Sequence, residues 1–414
     1  HPGRALFITD PVKRCLAAEP RPAAREELLC KLDDTAVVWK ALQGHLARWH
    51  QRISGVACFD CESLELGARL ARRLVLPFPS PSAVEACRNK FTAKRIWRQT
   101  GTRCPRAELL HHPRDVSVVL KRLAPPVILK PLTGSGSELV YRCTTPVEAS
   151  RAYQTIRERL RCHPDRYLYR PPESTPTGPS VRDIVLAEEF VAGPEFSCDF
   201  LVDGDRLRII RLSAKFGDPL QPMGTPLAYL TPALLPTDAG RENFRQQLLG
   251  AARALGLERA LCMADVIFEK NLPCFLEITP RPGGDCLPPL IRESCGLDML
   301  ALALDFAEDR AVDIPPPEAW ETLVGMRFFA DAAGIFRGMH ARLENLPQQV
   351  RSIRLKARTG DRIALPPQDY DSRILGHVIF KPAAGPSIPV QCADLRSRIC
   401  IEMETDQWMP PRAS

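Results

Sequence analysis

Apolar residues recur along the chain in two rhythms, and the changes between them mark its elements. From residue 5 to about residue 76, short apolar runs at 5–9 and 56–59 alternate with helical spacing at 64–74, the pattern of a parallel α/β sheet. Residues 89–100 read as a helix stopped by Gly101 and Pro105. A strand at 127–130, a Gly/Ser-rich loop at 133–137 and a helix at about 146–160 follow. Residues 167–182, rich in Pro, Ser and Thr, lack apolar periodicity and read as a mobile loop. Strands resume at 184–190 and 197–202, and the turn Asp203-Gly204-Asp205 leads into a return strand at 206–212. A helix at about 241–255 precedes two short strands, and another at about 297–308 follows them. Pro315 to Pro317 reads as a linker. Beyond it, strands at 326–329, 350–356 and 376–380 and a closing helix near Ala393 predict a small β-rich unit. No internal repeat is present.

The two short strands between those helices carry the most information. Cys262 to Glu269 and Cys274 to Gly284 alternate as paired strands, and each places one carboxylate, Asp265 and Glu277, among residues suited to a buried sheet. Two such acids repel unless a cation neutralises them. Magnesium fits, because it takes hard oxygen ligands and binds one or two carboxylates together with substrate phosphates. Arg281, two residues past Thr279, offers a planar cation to an anionic substrate or transition state. From this segment alone, a hairpin with a structural acid–arginine pair remains the equal alternative.

Composition narrows the setting. The 414 residues suffice for two or three domains with a full core, and the net charge of +7 is spread over Arg-rich helical stretches without interleaved aromatics. That favours small anions over nucleic acid. No apolar run reaches the length of a membrane span and no signal peptide opens the chain, so a cytoplasmic location is expected. The fifteen cysteines are scattered and read as small buried apolar residues; the one CxxC, Cys58 to Cys61, lacks a second pair or a histidine at zinc spacing. Of the eight histidines, His111 and His112 read as a solvated loop. The chain starts at His1 without an initiator Met, which suggests a piece of something larger.

Two further segments could carry chemistry. Lys130 ends a strand beside Thr133-Gly-Ser-Gly-Ser137, whose small side chains would let backbone N–H groups approach phosphate oxygens; an ordinary turn is the plainer reading, and the spacing is not that of a P-loop. Glu188-Glu-Phe-Val-Ala-Gly-Pro-Glu195 joins two strands and could read an adenine edge and ribose hydroxyls, or be a solvated acidic hairpin end.

Taken in order, Asn89-Lys90, the strand and loop from Val127 to Ser137, Glu188 to Ser197, Asp265, and Glu277-Ile-Thr-Pro-Arg-Pro-Gly-Gly284 resemble the ATP-grasp superfamily of carboxylate–amine ligases over roughly residues 50–310. The resemblance implies that Lys90 and Lys130 meet the α- and β-phosphates. The loop with Ser135, Gly136 and Ser137 would close over the triphosphate. Glu188, Glu189, Phe190 and Val191 would hold adenine, and Glu195 the ribose. Asp265 and Glu277, with Thr279, would hold magnesium, or manganese in its place. Arg281 would stabilise an acyl-phosphate, and Gly283, Gly284 and Tyr229 would contact substrate.

The segments at 55–76 and 281–285 and the C-terminal unit are similar to the L-amino-acid ligase (dipeptide synthase) branch, in which residues 5–9 would match the second strand and the first would be missing. The implied fold is α/β and α+β. An N-terminal parallel α/β domain spans 1–88 and a small ATP-lid subdomain 89–187. A larger mixed-sheet subdomain with the metal site covers 188–313, and a β-rich cap covers 318–414.

The sequence also departs from that pattern. Thr279 stands where an asparagine is usual, and Leu139 where another glycine is usual, which implies a stiffer lid. Residues 215–232 resemble the substrate-facing loop, with Pro226 and Tyr229 where an acid and a histidine are common. The expected function is an ATP- and magnesium-dependent ligase that activates a small acid and couples it to an amine. The alternatives are ligation of another acid and nucleophile, or a nucleotide-binding module without turnover. Small-molecule acid and amine substrates are the expected partners, neither nucleic acid nor membrane is, and a homodimer is allowed.

Overall fold

The computed structural model describes residues 3–17, 19–165, 168–169, 181–235, 238–342, 344 and 348–405. The N-terminal part contains β1 (Phe7–Thr9), α1 (Pro11–Leu16), β2 (Glu27–Leu29), α2 (Thr35–Trp49), α3 (Leu64–Leu74) and α4 (Pro81–Arg88). Strands β1 and β2 pair in parallel. The strand expected at 56–59 is absent. Its chain runs against the last turn of a later helix, so close that a Cβ on Gly55 would lie 2.4 Å from the Ala307 carbonyl oxygen, and it pairs with no strand among the described residues.

Next come α5 (Lys90–Gln99), β3 (Ala107–Leu110), α6 (Asp115–Leu123), β4 (Val127–Pro131), β5 (Tyr141–Cys143), α7 (Pro146–Cys162) and β6 (Val185–Glu189). Their four strands form an antiparallel sheet in the order β3-β6-β4-β5. Most of the loop expected at 167–182 lies outside the described residues.

The largest unit is built from β7 (Glu195–Asp203), β8 (Arg206–Gly217), β9 (Pro226–Thr231), α8 (Asp238–Ala254), β10 (Arg259–Glu269), β11 (Leu272–Thr279), α9 (Leu287–Cys295) and α10 (Met299–Ala307). After it come β12 (Leu323–Phe329), β13 (Gly334–Ala341), β14 (Gln349–Leu355), β15 (Arg362–Ile363), β16 (Ile374–Lys381), α11 (Ile388–Ser397) and β17 (Ile399–Glu404). An eight-stranded sheet runs β11-β10-β7-β8-β9-β12-β16-β14, and β15-β13-β17 form a small one. Of the strands after residue 318, β12, β16 and β14 therefore extend the main sheet through the β9–β12 pairing, the other three form the small sheet, and α11 is followed by one more strand.

The large sheet, expected to be mixed, is antiparallel at every recorded pairing. Three of its neighbouring pairs, β7–β8, β8–β9 and β10–β11, are joined by direct returns, such as the Lys270-Asn271 turn between β10 and β11. Both of those residues have positive φ, as a tight hairpin requires, whereas parallel neighbours would need crossover helices.

One face of this sheet is apolar. Phe196, Cys198, Phe200, Ala264, Val266, Phe268 and Phe275 pack with Trp97 and Phe244 against α8, α4 and α5. Because side chains alternate along a strand, the residues between them face the other way. That second face carries the polar groups.

Candidate functional site

The site begins with a register. In the β10–β11 hairpin Asp265 stands directly opposite Glu277, and the ladder slips at the next step, so that Val266 pairs with Phe275. The slip leaves Leu276 outside the pairing, as a β-bulge does. Its carbonyl is then free to accept a 2.7 Å hydrogen bond from Lys94 Nζ. Thr279 lies two residues beyond Glu277 and, by alternation, on the same face.

Five elements converge on this hairpin around a cleft of about 900 Å³. Lys90 enters from the first turn of α5, whose start is capped by the Asn89 side chain accepting from the Thr92 amide at 3.0 Å. A helix N-terminus disfavours a cation, so a lysine there is placed to meet an anion. Its Nζ donates to the Gly134 carbonyl at 2.8 Å and lies 3.7 Å from Glu277. Lys130 comes from β4; Gly134, Ser135, Gly136 and Ser137 from the loop after it; Glu189, Phe190 and Val191 from the end of β6; and Glu195 from the start of β7. The segments singled out for nucleotide in the sequence thus line one cleft, together with Asp265 and Glu277.

The loop is held as well as small. Gly134 has φ +121, and a Cβ there would lie 2.8 Å from the Tyr169 ring. Ser137 and Leu139 both adopt left-handed φ, and Leu139 is buried in the core of the small sheet. Ser137 Oγ donates to the Gly224 carbonyl at 2.7 Å, which ties the loop to the β8–β9 connection. Glu138 accepts from Tyr169 Oη at 2.5 Å and lies 3.1 Å from His163 Nε2.

Glu188 is not solvated. It is 2 % exposed and pairs with Lys130 at 2.7 Å and Lys94 at 2.9 Å. Burial disfavours its charge, but Lys130 and Lys94 outweigh that and hold the carboxyl below its ordinary range. Lys94 is a site residue the sequence reading missed. It lies one helical turn after Lys90, on the same face of α5, and that spacing was the available signal.

Lys215 near the end of β8 was also missed as a site residue. It makes a short hydrogen bond to Glu195 and sits 3.3 Å from Asp265 Oδ1. Alternation from Ser213 puts it on the polar face. Burial opposes the lysine's charge, yet Asp265 and Glu195 raise its pKa well above the ordinary value. Asp265 is itself pushed up to about 6, first by burial, with the Glu277 charge adding and Lys215 opposing.

The pair offers a divalent ion two carboxylates. No cluster of three or more His, Cys, Asp or Glu suited to a metal occurs among the described residues. Two carboxylates facing each other, with Asp265 Oδ1 buried and without a well-formed hydrogen bond, fit magnesium that takes its remaining ligands from phosphate and water.

The remaining expected residues lie apart from the cleft lining. Arg281 Nε donates to Cys61 Sγ at 3.0 Å and Nη1 to the Pro282 carbonyl at 2.7 Å. Gly283 donates its amide to Asp199 Oδ1 at 2.8 Å; Asp199 is locked to Arg211 at 2.6 Å, and a Cβ on Gly283 would lie 2.7 Å from that guanidinium. A Cβ on Gly284 would lie 4.0 Å from Arg281 Nη1. Tyr229, expected on a substrate-facing loop, lies instead in the middle of β9, buried against Cys286, Leu287 and Leu290. Pairing with both β8 and β12 makes that segment an interior strand. The fifteen cysteines are unpaired, and Cys58 is pushed up to about 12, mainly by burial. His111 and His112 are exposed and donate their amides to Asp115.

Comparison with known proteins now decides the fold family, because residues 123–289 match the model of the ATP-grasp domain. The chain carries an ATP-grasp domain. It is 27% identical over 227 residues to a D-alanine--D-alanine ligase of Aromatoleum aromaticum, a match covering 53% of this chain and 65% of that protein, short of two thirds of its length. A D-alanine--D-alanine ligase of Delftia acidovorans is 27% identical over 257 residues, covering 59% of this chain and 72% of that protein.

Among solved structures, the L-amino acid ligase from Bacillus licheniformis superposes with a TM-score of 0.75 at 20% identity, over 97% of this chain and 93% of that one. A biotin carboxylase from Campylobacter jejuni, in complex with β,γ-ATP, superposes with a TM-score of 0.61 at 15% identity, over 97% and 87%. These likenesses establish an ATP-grasp fold across the chain. No helix among the described residues is long and apolar enough to cross a membrane.

Proposed function

We propose that the protein is an ATP- and magnesium-dependent ligase that activates a small carboxylic acid, an amino acid in the favoured version, and couples it to an amine with release of ADP and phosphate. The observation that carries the reading is the cross-strand Asp265–Glu277 pair facing Lys90, Lys130 and Lys215 in one cleft. Such a set would neutralise a triphosphate and its metal. Lys90 and Lys130 would take phosphate oxygens beside the 133–137 loop. The end of β6 would hold adenine, with Glu195 toward the ribose, while Asp265 and Glu277 would hold magnesium and Thr279 would stand next in line. The bound metal would neutralise charge on the phosphates.

In the proposed reaction the acid's carboxylate oxygen attacks the γ-phosphorus, the bond to the β-phosphate oxygen breaks, and ADP leaves. The amine nitrogen then attacks the acyl carbon, phosphate departs, and the nitrogen loses a proton as the amide forms. Neither step needs a protein nucleophile, since positioning and charge neutralisation suffice. Arg281, outside the nucleotide cleft and without a carboxylate ion-pair partner among the described residues, would meet the charge of the acyl-phosphate. The resemblance to D-alanine--D-alanine ligases and to an L-amino acid ligase supports the reading.

The test is ADP release from magnesium-ATP against pooled amino acids and other acids, with mass spectrometry of the products. A new amide mass appearing with ADP is expected. Full nucleotide occupancy without ADP, across all acids and amines tried, would overturn the ligase in favour of a nucleotide-binding module.

A further inference from the structure

The polar face of the large sheet continues past Lys215 and Tyr229 to β12 and β16, where Arg327 stands opposite His377. Arg373 immediately precedes β16. Both arginines are buried, at 7 % and 3 % exposure, and their guanidinium carbons lie 5.2 and 4.7 Å from the centre of the same Phe329 ring. Arg327 is compensated, with Nη1 2.9 Å from Asp285 and Nε donating to the Pro226 carbonyl at 2.8 Å.

Arg373 is not compensated in this way. Its recorded partners are neutral: the Gln221 carboxamide oxygen and the Thr225 hydroxyl at 3.1 Å. Its Nε is buried without an acceptor. The Asp369 carboxylate nearby accepts from the Asp371 and Ser372 amides and forms no recorded ion pair with it. Burial and the neighbouring Arg327 both lower the pKa of Arg373. Among the described residues, two enclosed cations thus share one ion-paired carboxylate, with Asp369 acting on Arg373 only through space, a charge excess that an incoming anion would relieve.

The surroundings indicate which anion. Gln221 and Thr225 belong to the β8–β9 connection, whose Met223 and Gly224 line the nucleotide cleft. Asp285 follows Gly283 and Gly284 on the loop that carries Arg281. The arginine pair therefore sits behind the connection that lines the nucleotide cleft, on the β9–β12–β16 side of the sheet and away from Asp265 and Glu277 on β10 and β11. Phosphates have Lys90, Lys130 and Lys215 in the cleft itself.

We propose that Arg373, with Arg327, forms an anion subsite for the free carboxylate of the amine-bearing substrate, so that the amine is selected as an amino acid. This rests on the ligase reading above. Arg373 reads the substrate's carboxylate through its planar donors, and Phe329 keeps water from the pair. If Arg373 served only to tie the β8–β9 connection to β16, its removal would affect all amines alike.

The experiment compares L-alanine with L-alaninamide as amine, using ADP release, in the native chain, Arg373→Gln and Arg373→Lys. Arg373→Gln is expected to lower kcat/KM for L-alanine by about 10- to 100-fold, the equivalent of one charged hydrogen bond, with little change for L-alaninamide. Arg373→Lys should retain part of the preference. An equal loss for both amines, or a native enzyme indifferent to the carboxylate, would overturn the subsite.

Calorimetric titration of the same two amines into protein loaded with magnesium and a non-hydrolysable ATP analogue separates this idea from the ligase reading. If no acid yields ADP, the ligase reading fails alone, provided L-alanine still binds more tightly than L-alaninamide and Arg373→Gln abolishes the difference. No difference in the native chain overturns the subsite. Should Arg373→Gln fail to fold, Thr225→Val in the same titration replaces it, with a reduced carboxylate preference expected and an unchanged one overturning the subsite.

Discussion

Replacing Glu188 by glutamine keeps the side chain's shape and removes the charge that Lys94 and Lys130 share. The two contacts are 2.9 and 2.7 Å, with all three side chains almost completely enclosed. At an effective dielectric constant of about 20, a contact of that length carries a gross attraction of roughly 6 kcal/mol. Desolvation cancels much of this, and removing one partner from a buried pair costs about 3–5 kcal/mol because the remaining charge is left uncompensated. Glu188→Gln is therefore expected to lose about 3–5 kcal/mol in urea unfolding without nucleotide, as a lower midpoint at unchanged slope.

Lys94→Met combined with Glu188→Gln should be less damaging than the two single losses added, by at least about 1 kcal/mol, since the double variant removes one of the stranded cations. Magnesium-ATP should restore part of the loss by bringing negative charge to Lys130. Acid titration gives a second readout. The folded carboxyl lies below its ordinary value of 4.5, so its contribution is complete above that value and is lost as pH falls through the lower one. Glu188→Gln should lack that acid-side loss. Single losses that add to within about 0.5 kcal/mol, with Glu188→Gln near native stability, would refute the reasoning.

Other outcomes follow from single contacts. Arg281→Ala should reduce amide formation by at least about 100-fold while leaving magnesium-ATP affinity near native, because the charge it would meet develops after nucleotide binds; equal loss of ATP affinity would show the role misplaced. Gly193→Ala should destabilise by roughly 2 kcal/mol or more in chemical unfolding, since φ is +149 and the new Cβ would lie 2.2 Å from the Phe268 carbonyl oxygen. Burial opposes the charge on His163, but Glu138 outweighs it and raises the pKa above 6.5. That pair's stabilisation, at most about 1 kcal/mol, is complete below 6.5 and fades as pH rises through the raised value. Thermal melts of the native chain and His163→Gln should converge in that direction, and curves that stay parallel would refute the assignment.

Much of the cleft was legible from local pattern. Asn89 and Lys90 announce a capped helix start, Val127 to Lys130 a buried strand ending in a cation, and 133–137 a loop of minimal bulk. Asp265 and Glu277 are acids where alternation demands a covered face. These signals are short-range, because capping, alternation and turn chemistry act within a few residues. The failures are long-range. Residues 56–59 have strand composition but pair with no strand among the described residues, and Tyr229 sits on an interior strand because β12, nearly a hundred residues later, pairs with β9.

What the sequence determined alone was the inventory of elements and the chemistry each would present. Tertiary structure decided which charges meet. Only the pairing register sets Asp265 opposite Glu277 and slips the ladder to free the Leu276 carbonyl. Only the docking of α5 on that hairpin brings Lys94 to the Leu276 carbonyl, only its packing beside the small sheet brings the same lysine to Glu188, and only the joining of β9, β12 and β16 places Arg327 and Arg373 around one phenyl ring. A charge interacts with whatever lies within a few ångströms regardless of separation along the chain, and that proximity is a property of the packed sheet rather than of any segment in it.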